Sequence, residues 1–199
     1  MQMVEPEKAA GIGDDDALML RVGDRDADAF RMLVDRHAAI PFAIGCRMMK
    51  DPVEAEDIAQ ESLLRLWNNA ENWITGSSGV EAWLRRVATN LCLDRLRKRK
   101  RMADDEVPEQ MDDAPAADEL VDGSRQEMAV KDCIGKLGDR QRAAVVLTYY
   151  EEQSNKDAAG VLDMKVKGFE SLLYRARGAL KDCLESSPYL VNVTRETSS

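Results

Sequence analysis

Residues 81–101 read EAWLRRVATNLCLDRLRKRKR, and the fold follows from how they are taken. Leu84, Val87, Ala88 and Leu91 recur at the i, i+3, i+4, i+7 spacing of a helix face turned toward a core. Arg86, Asn90 and Arg97 share another side of the same helix and are polar. Arg95, Arg97, Lys98, Arg99, Lys100 and Arg101 crowd its C-terminal end. The stretch holds eight Lys and Arg against two Asp and Glu, a local +6 in a chain whose net charge is −9. Positive charge concentrated on one element of an acidic protein marks a surface that meets phosphate.

Around this helix the composition points to an all-α protein. The 199 residues suffice for one domain or two small ones; 44% are apolar and 33% charged, while aromatics reach only 5%. Ala, Leu, Arg and Glu are abundant, and no β-branched run alternates with polar residues between turn signals. Residues 1–16, MQMVEPEKAAGIGDDD, lack the basic and apolar regions of a signal peptide. The longest apolar run, Ala38–Cys46, is far short of the roughly 20 residues needed to span a membrane. A soluble, cytoplasmic protein is expected.

Little in the chain could carry catalysis. Cys46, Cys92, Cys133 and Cys183 are widely spaced, with no paired-cysteine motif and a single histidine, His37. They are expected to be reduced, mostly buried thiols that pack as small apolar groups. His37 lies on an apolar helix face and reads as a core residue. With no metal-ligand spacing, Gly-rich phosphate loop or nucleophile motif, neither a cofactor nor an enzymatic activity is expected.

The remaining elements fall into place along the chain. Residues 1–13 are expected to be disordered, and 14–101 to form a first helical domain. Within it, helices begin at Asp14–Asp16 and near Asp26, and Pro41 kinks or restarts the second of them. Asp51-Pro52 starts another, with Asp as N-cap and Pro at the first helical position. That helix turns Ala55, Ile58, Ala59, Ser62, Leu66 and Trp67 inward. Its outer face carries Glu54, Asp57, Gln60, Glu61 and Arg65, which alone reads as a solvated face. Gly76-Ser77-Ser78-Gly79 is a loop ahead of the basic helix; Trp73 and Ile74 at its edge either tuck into the core or contact a base.

Residues 102–125 are expected to be a flexible acidic linker. Met102–Ser124 contains nine acids, two prolines and no Lys or Arg. A second helical domain follows over 126–185, then a loose tail over 186–199. Its first helix turns Met128, Cys133, Ile134 and Leu137 inward. Its second, Arg140–Tyr150, turns Ala143, Val146, Leu147 and Tyr150 inward. Ser154–Asp157 resembles a capping box. Asp163-Met164-Lys165 then separates a short helix from a long one, the helix-turn-helix pattern. Lys165–Lys181 carries five basic residues against Glu170.

Three stretches together resemble the small extracytoplasmic-function, or group IV, sigma factors of bacterial RNA polymerase. DPVEAEDIAQESLLRLW resembles the helix that binds core polymerase, and AWLRRVATNLCLDRLRKRKR the helix that melts and reads the minus-ten element. LGDRQRAAVVLTYYEEQSNKDAAGVLDMKVKGFESLLYRARGAL resembles region 4, which reads the minus-thirty-five element. The resemblance covers residues 15–101 and 126–183. It implies two small helical domains and a promoter-specificity subunit with core RNA polymerase, promoter DNA and an anti-sigma factor as partners.

Residue by residue, it implies that Asp57, Gln60, Glu61, Leu64 and Arg65, with Leu63 beside them, face the clamp coiled coil of the largest polymerase subunit. Trp73, Ile74, Arg86 and Asn90 would hold a base flipped from the non-template strand, and Arg97, Lys98 and Arg99 would grip nearby phosphates. Lys165, Lys167, Glu170, Ser171, Tyr174, Arg175 and Arg177 would face the minus-thirty-five element.

The chain departs from the family pattern at Glu170, where a basic residue is common, at Gly168-Phe169, where Ser/Thr-Val is usual, and at Asp157-Ala158-Ala159. The minus-thirty-five sequence therefore does not follow from these residues. A sigma-like decoy for an anti-sigma factor is one alternative. A helix-turn-helix regulator acting without polymerase is another, but it leaves Trp73–Arg101 without purpose.

Overall fold

The computed structural model describes residues 14–105 and 122–187, with side chains over 14–103 and 126–187. The expected disordered segment 1–13, the middle of the acidic stretch and the tail past residue 187 lie outside the described residues. Those described form nine α-helices with one 3-10 turn and one π turn, and no strand. None of these helices is long and apolar enough to cross a membrane.

The first bundle is built from α1 (Asp14–Gly23), α2 (Ala27–His37), α3 (Ala39–Met49), α4 (Pro52–Asn69) and α5 (Gly79–Asp105). Asp26 caps α2 by accepting from the backbone N–H groups of Asp28 and Ala29. At Pro41 the chain restarts rather than kinks: α2 ends at His37, and Pro41 falls in the first turn of α3, where its missing N–H has no helical partner to lose. α4 starts as its sequence dictates, with the Asp51 carboxylate accepting from the Val53 N–H at 2.9 Å. Gly45 lets α3 and α4 meet backbone to backbone; a Cβ there would lie 2.8 Å from Ala55 Cα.

Leu84, Ala88 and Leu91 of α5 are buried and Val87 is half-buried, so the inward face is the one the periodicity marks. His37 is a core residue as expected; its Nε2 lies 2.7 Å from Asp15 Oδ2.

The second bundle comprises α6 (Asp122–Lys136), α7 (Asp139–Val145), the π turn Val146–Tyr150, α8 (Asn155–Val161) and α9 (Val166–Glu185). Phe169 is wholly enclosed, worth roughly 1.5–3 kcal/mol relative to an exposed ring. Ser154 caps α8, its hydroxyl accepting from the Asp157 N–H.

The two bundles are packed together. One apolar cluster joins Ile44, Met48, Ile58 and Leu91 of the first to Leu147, Ala158, Phe169 and Leu173 of the second.

Four expectations change. α5 continues to Asp105 and α6 begins at Asp122, so helix extends into both ends of the stretch read as linker. Nothing in Met102–Asp105 breaks a helix, and Asp122 favours a helix N-terminus. α5 also starts at Gly79, two residues before Glu81. Tyr150 does not point inward. The π turn, closed by Glu151 N–H to Val146 O at 3.1 Å, rotates it out to 40% exposure, where Arg47 stacks 4.4 Å above its ring.

The fourth correction concerns the cysteines, of which only two are free. Cys133 on α6 and Cys183 on α9 form a disulfide with Cα atoms 5.7 Å apart. Their antiparallel helices pack side by side, a relation that a separation of 50 residues hides in sequence. Cys46 is exposed, whereas burial pushes the Cys92 thiol up to about 12. An alkylating reagent at pH 8 will therefore modify Cys46 quickly and Cys92 hardly at all, with two further sites appearing after reduction. Peptide mass spectrometry checks the order, and rapid labelling of Cys92 would contradict its burial.

Candidate nucleic-acid interface

Three exposed faces display the residues singled out in the sequence. The outer face of α4 presents Asp57, Gln60, Leu64 and Arg65, with Glu61 half-buried beside them. Leu64 is 54% exposed amid these charges. Glu61 accepts from Arg65 at 2.8 Å, and Asp57 accepts from Arg95 of α5 at 3.3 Å. Pairs this exposed contribute about 0–1 kcal/mol, so an incoming partner can replace them at little cost.

The second face is the outer side of α5. Arg86 and Asn90 are exposed one turn apart, opposite Leu84 and Ala88. Arg97 continues this side and pairs with Asp94 at 3.3 Å. Arg97, Lys98 and Arg99 are all exposed, but Arg99 also pairs with Glu54 of α4, which ties the basic end back to the bundle.

Ahead of α5, Gly76 (φ 72°) and Gly79 (φ 82°) take the left-handed conformation that favours glycine. The two residues at the loop's edge separate. Trp73 turns inward, its ring edge-on to Trp83 at 6.5 Å and its Nε1–H donating to Asp16 Oδ1 at 2.7 Å. Ile74 stands out, 74% exposed.

The third face belongs to α9. Asp163 (φ 49°) makes the turn after α8, closed by Met164 N–H to Ala159 O at 3.0 Å. Lys165, Lys167, Glu170, Ser171, Tyr174, Arg175 and Arg177 are all exposed. Most of them border a shallow concavity of about 800 Å³ shared with Asn155. Tyr174 is 79% exposed, and Arg177 donates to the Tyr149 hydroxyl.

The contact between the bundles carries charged groups that no sequence signal identified. Glu151 is 9% exposed in its side chain; it accepts from Arg85 Nε at 3.2 Å, with Arg47 at 3.9 Å. Arg142 is buried and donates to Met48 O at 2.6 Å, across the junction, and to Gly135 O at 2.7 Å. Burial holds its guanidinium below the usual range, opposed by the Asp139 carboxylate. Lys100 pairs with Asp139 at 2.7 Å. Asp16, which holds Trp73, was equally illegible: nothing distinguishes it from Asp14 and Asp15.

A helical bundle followed by a helix-turn-helix, each with a basic exposed face, is the architecture of a protein that meets DNA at two places. Comparison with known proteins narrows this. The family described as Sigma-70 region 2 matches residues 33–102, and Sigma-70, region 4 matches 127–180. The ECF RNA polymerase sigma factor SigW of Bacillus subtilis is 32% identical over 176 residues, covering 78% of this chain and 89% of that one. SigE of Mycolicibacterium smegmatis is 32% identical over 156 residues, 76% of this chain and 60% of that longer protein. The chain belongs to the extracytoplasmic-function sigma factors.

Solved structures agree on the fold. CnrH in complex with the cytosolic domain of CnrY superposes with a TM-score of 0.64 at 24% identity, covering 87% of this chain and 98% of that one. RpoE in complex with the anti-sigma factor NepR from Bartonella quintana gives 0.62 at 24% identity, covering 79% and 98%.

Proposed function

We propose that this chain is a promoter-specificity subunit: it joins core RNA polymerase in the bacterial cytoplasm and directs initiation at a dedicated two-element promoter. The observation that carries this reading is the pair of exposed faces, Arg86 with Asn90 on α5 and Lys167 to Arg177 on α9, held on separate bundles of a sigma-type chain. The α5 face and the loop before it capture a flipped base of the non-template strand, and Arg97, Lys98 and Arg99 grip adjacent phosphates. The α9 face enters the major groove of the minus-thirty-five element, where Glu170 can accept from cytosine N4. The α4 face docks on the clamp coiled coil of the largest polymerase subunit. An anti-sigma factor holds the protein inactive, a role supported by relatives solved with CnrY and with NepR.

Transcription with purified core polymerase on genomic fragments tests the reading and reveals the promoter. Discrete start sites that depend on this chain are expected. Tight, specific promoter binding by the isolated chain would favour the polymerase-independent regulator instead. Absence of any start site, together with capture of an anti-sigma factor, would favour the decoy.

Asp57→Ala and Glu61→Ala should each weaken assembly with core by about tenfold, since a charged anchor at a protein interface is worth about 1–2 kcal/mol. Promoter opening by the holoenzyme, once formed at saturating concentration, should be unchanged. Fluorescence anisotropy of labelled protein titrated with core measures the first effect, and unchanged affinity would remove α4 from the interface.

A further inference from the structure

We infer that Asp16 is a positioning residue for base capture, holding the loop between α4 and α5 in its receptive shape; this rests on the reading of that loop and α5 as the minus-ten face. The three acids that open α1 have different partners. Asp14 and Asp15 both meet Arg36 of α2, and Asp15 also meets His37. Asp16 alone faces the loop. Its Oδ1 accepts from Trp73 Nε1–H at 2.7 Å and its Oδ2 from the Gly76 N–H at 2.8 Å. One carboxylate thus fixes two points of the loop, 57 and 60 residues away in sequence.

The consequence is geometric. With Trp73 drawn in against Trp83, the short segment between the two anchor points projects outward and carries exposed Ile74 at its edge. Trp83 lies one turn before Arg86 on α5, so the bracket joins the loop to the reading face. α1 is a firm base for it, since Leu18, Met19 and Val22 are buried in the bundle. A loop ordered in advance does not have to lose conformational freedom when the unpaired strand arrives, and so it binds more tightly.

Both hydrogen bonds favour the ionised carboxylate. The Gly76 amide and then the Trp73 indole hold Asp16 below the usual range, against a smaller desolvation effect. A depressed pKa means that the anchoring is complete above the ordinary aspartate value of about 3.9 and is lost only as pH falls through the folded value. The bracket is therefore intact at neutral pH.

The test uses holoenzyme on its own promoter and on versions carrying each of the other bases at the flipped position. Open complex is read from permanganate reactivity of unpaired thymines. Asp16→Ala should slow opening by about tenfold and reduce discrimination among the four bases to about twofold or less. Asp16→Asn, which is isosteric but cannot accept both bonds without rearrangement, should show a smaller loss of the same kind. Trp73→Phe, which removes the indole N–H, should add little in the Asp16→Ala background.

Affinity for core and melting temperature should stay at wild-type values. An equal loss of both would overturn the proposal by reducing Asp16 to a folding role. Full base discrimination in Asp16→Ala, with discrimination lost in Asn90→Ala, would refute Asp16 alone. Full discrimination in both would overturn the base-capture reading and the proposal with it.

Discussion

Holoenzyme carrying Arg86→Ala and Asn90→Ala is expected to assemble with normal affinity and to fail at promoter opening. Both side chains are exposed on α5, opposite its buried face, so their loss leaves the core untouched. Alanine is also the strongest helix former, so the helix itself should not loosen. Extruding a base costs a few kcal/mol in stacking and pairing, which contacts to the free base must recover. An asparagine amide offers a donor and an acceptor to one base edge, and a guanidinium adds stacking and charge. Losing about 3 kcal/mol of that recovery lowers open-complex formation on the order of 100-fold. Anisotropy with core and permanganate footprinting on the promoter give the two readouts. Opening within about threefold of wild type would remove this face from base capture.

Glu151→Lys is expected to drive the two bundles apart. In the packed molecule this carboxylate sits almost enclosed between Arg85 and Arg47. Reversing its charge would place three cations together at the junction, and disrupting a pair this buried commonly costs about 3–5 kcal/mol. Each bundle keeps its own core, so separation rather than unfolding should follow.

The size of the task argues that separation is part of the working cycle. Elements named minus-ten and minus-thirty-five lie about 25 base pairs apart, or about 85 Å at 3.4 Å per base pair. A compact chain of this length has a radius of gyration of only about 16 Å. α5 and α9 therefore cannot occupy both elements while the bundles remain in contact. Small-angle scattering should show the radius of gyration rising by at least about a third in Glu151→Lys. Circular dichroism should keep its helical signal. An unchanged radius would mean that apolar packing through Leu147 and Phe169, rather than this ion cluster, holds the junction.

What could be read in the sequence was whatever depends on neighbours along one helix. The inward face of α5 at Leu84, Ala88 and Leu91, the Asp51-Pro52 start of α4 and the turn between α8 and α9 all follow from spacings of a few residues. The exposed candidates Arg86, Asn90, Tyr174 and Arg175 were legible for the same reason. They are polar positions left over once the apolar stripe is assigned, and the family resemblance supplied their roles.

What could not be read depends on contacts between distant elements. Glu151 and Arg85 are 66 residues apart, Asp16 and Trp73 57, and no periodicity links either pair. Cys133 and Cys183 looked like filler because their encounter requires α6 and α9 to lie side by side. Tyr150 failed for a local reason. A period of 3.6 residues was carried through a turn that does not obey it.

That turn has a consequence for how such a molecule can be retuned. Val146–Tyr150 holds one residue more than an α-helical turn. Deleting a single residue there would regularise the helix and swing everything beyond it by about 100° relative to α7. Glu151 would then face away from its two arginines although every side chain at the junction remained. The strength of the closed state is thus encoded partly in chain length: an insertion or deletion of one residue acts as a dial on the equilibrium between the packed and extended molecule, without any change in the surfaces that read DNA.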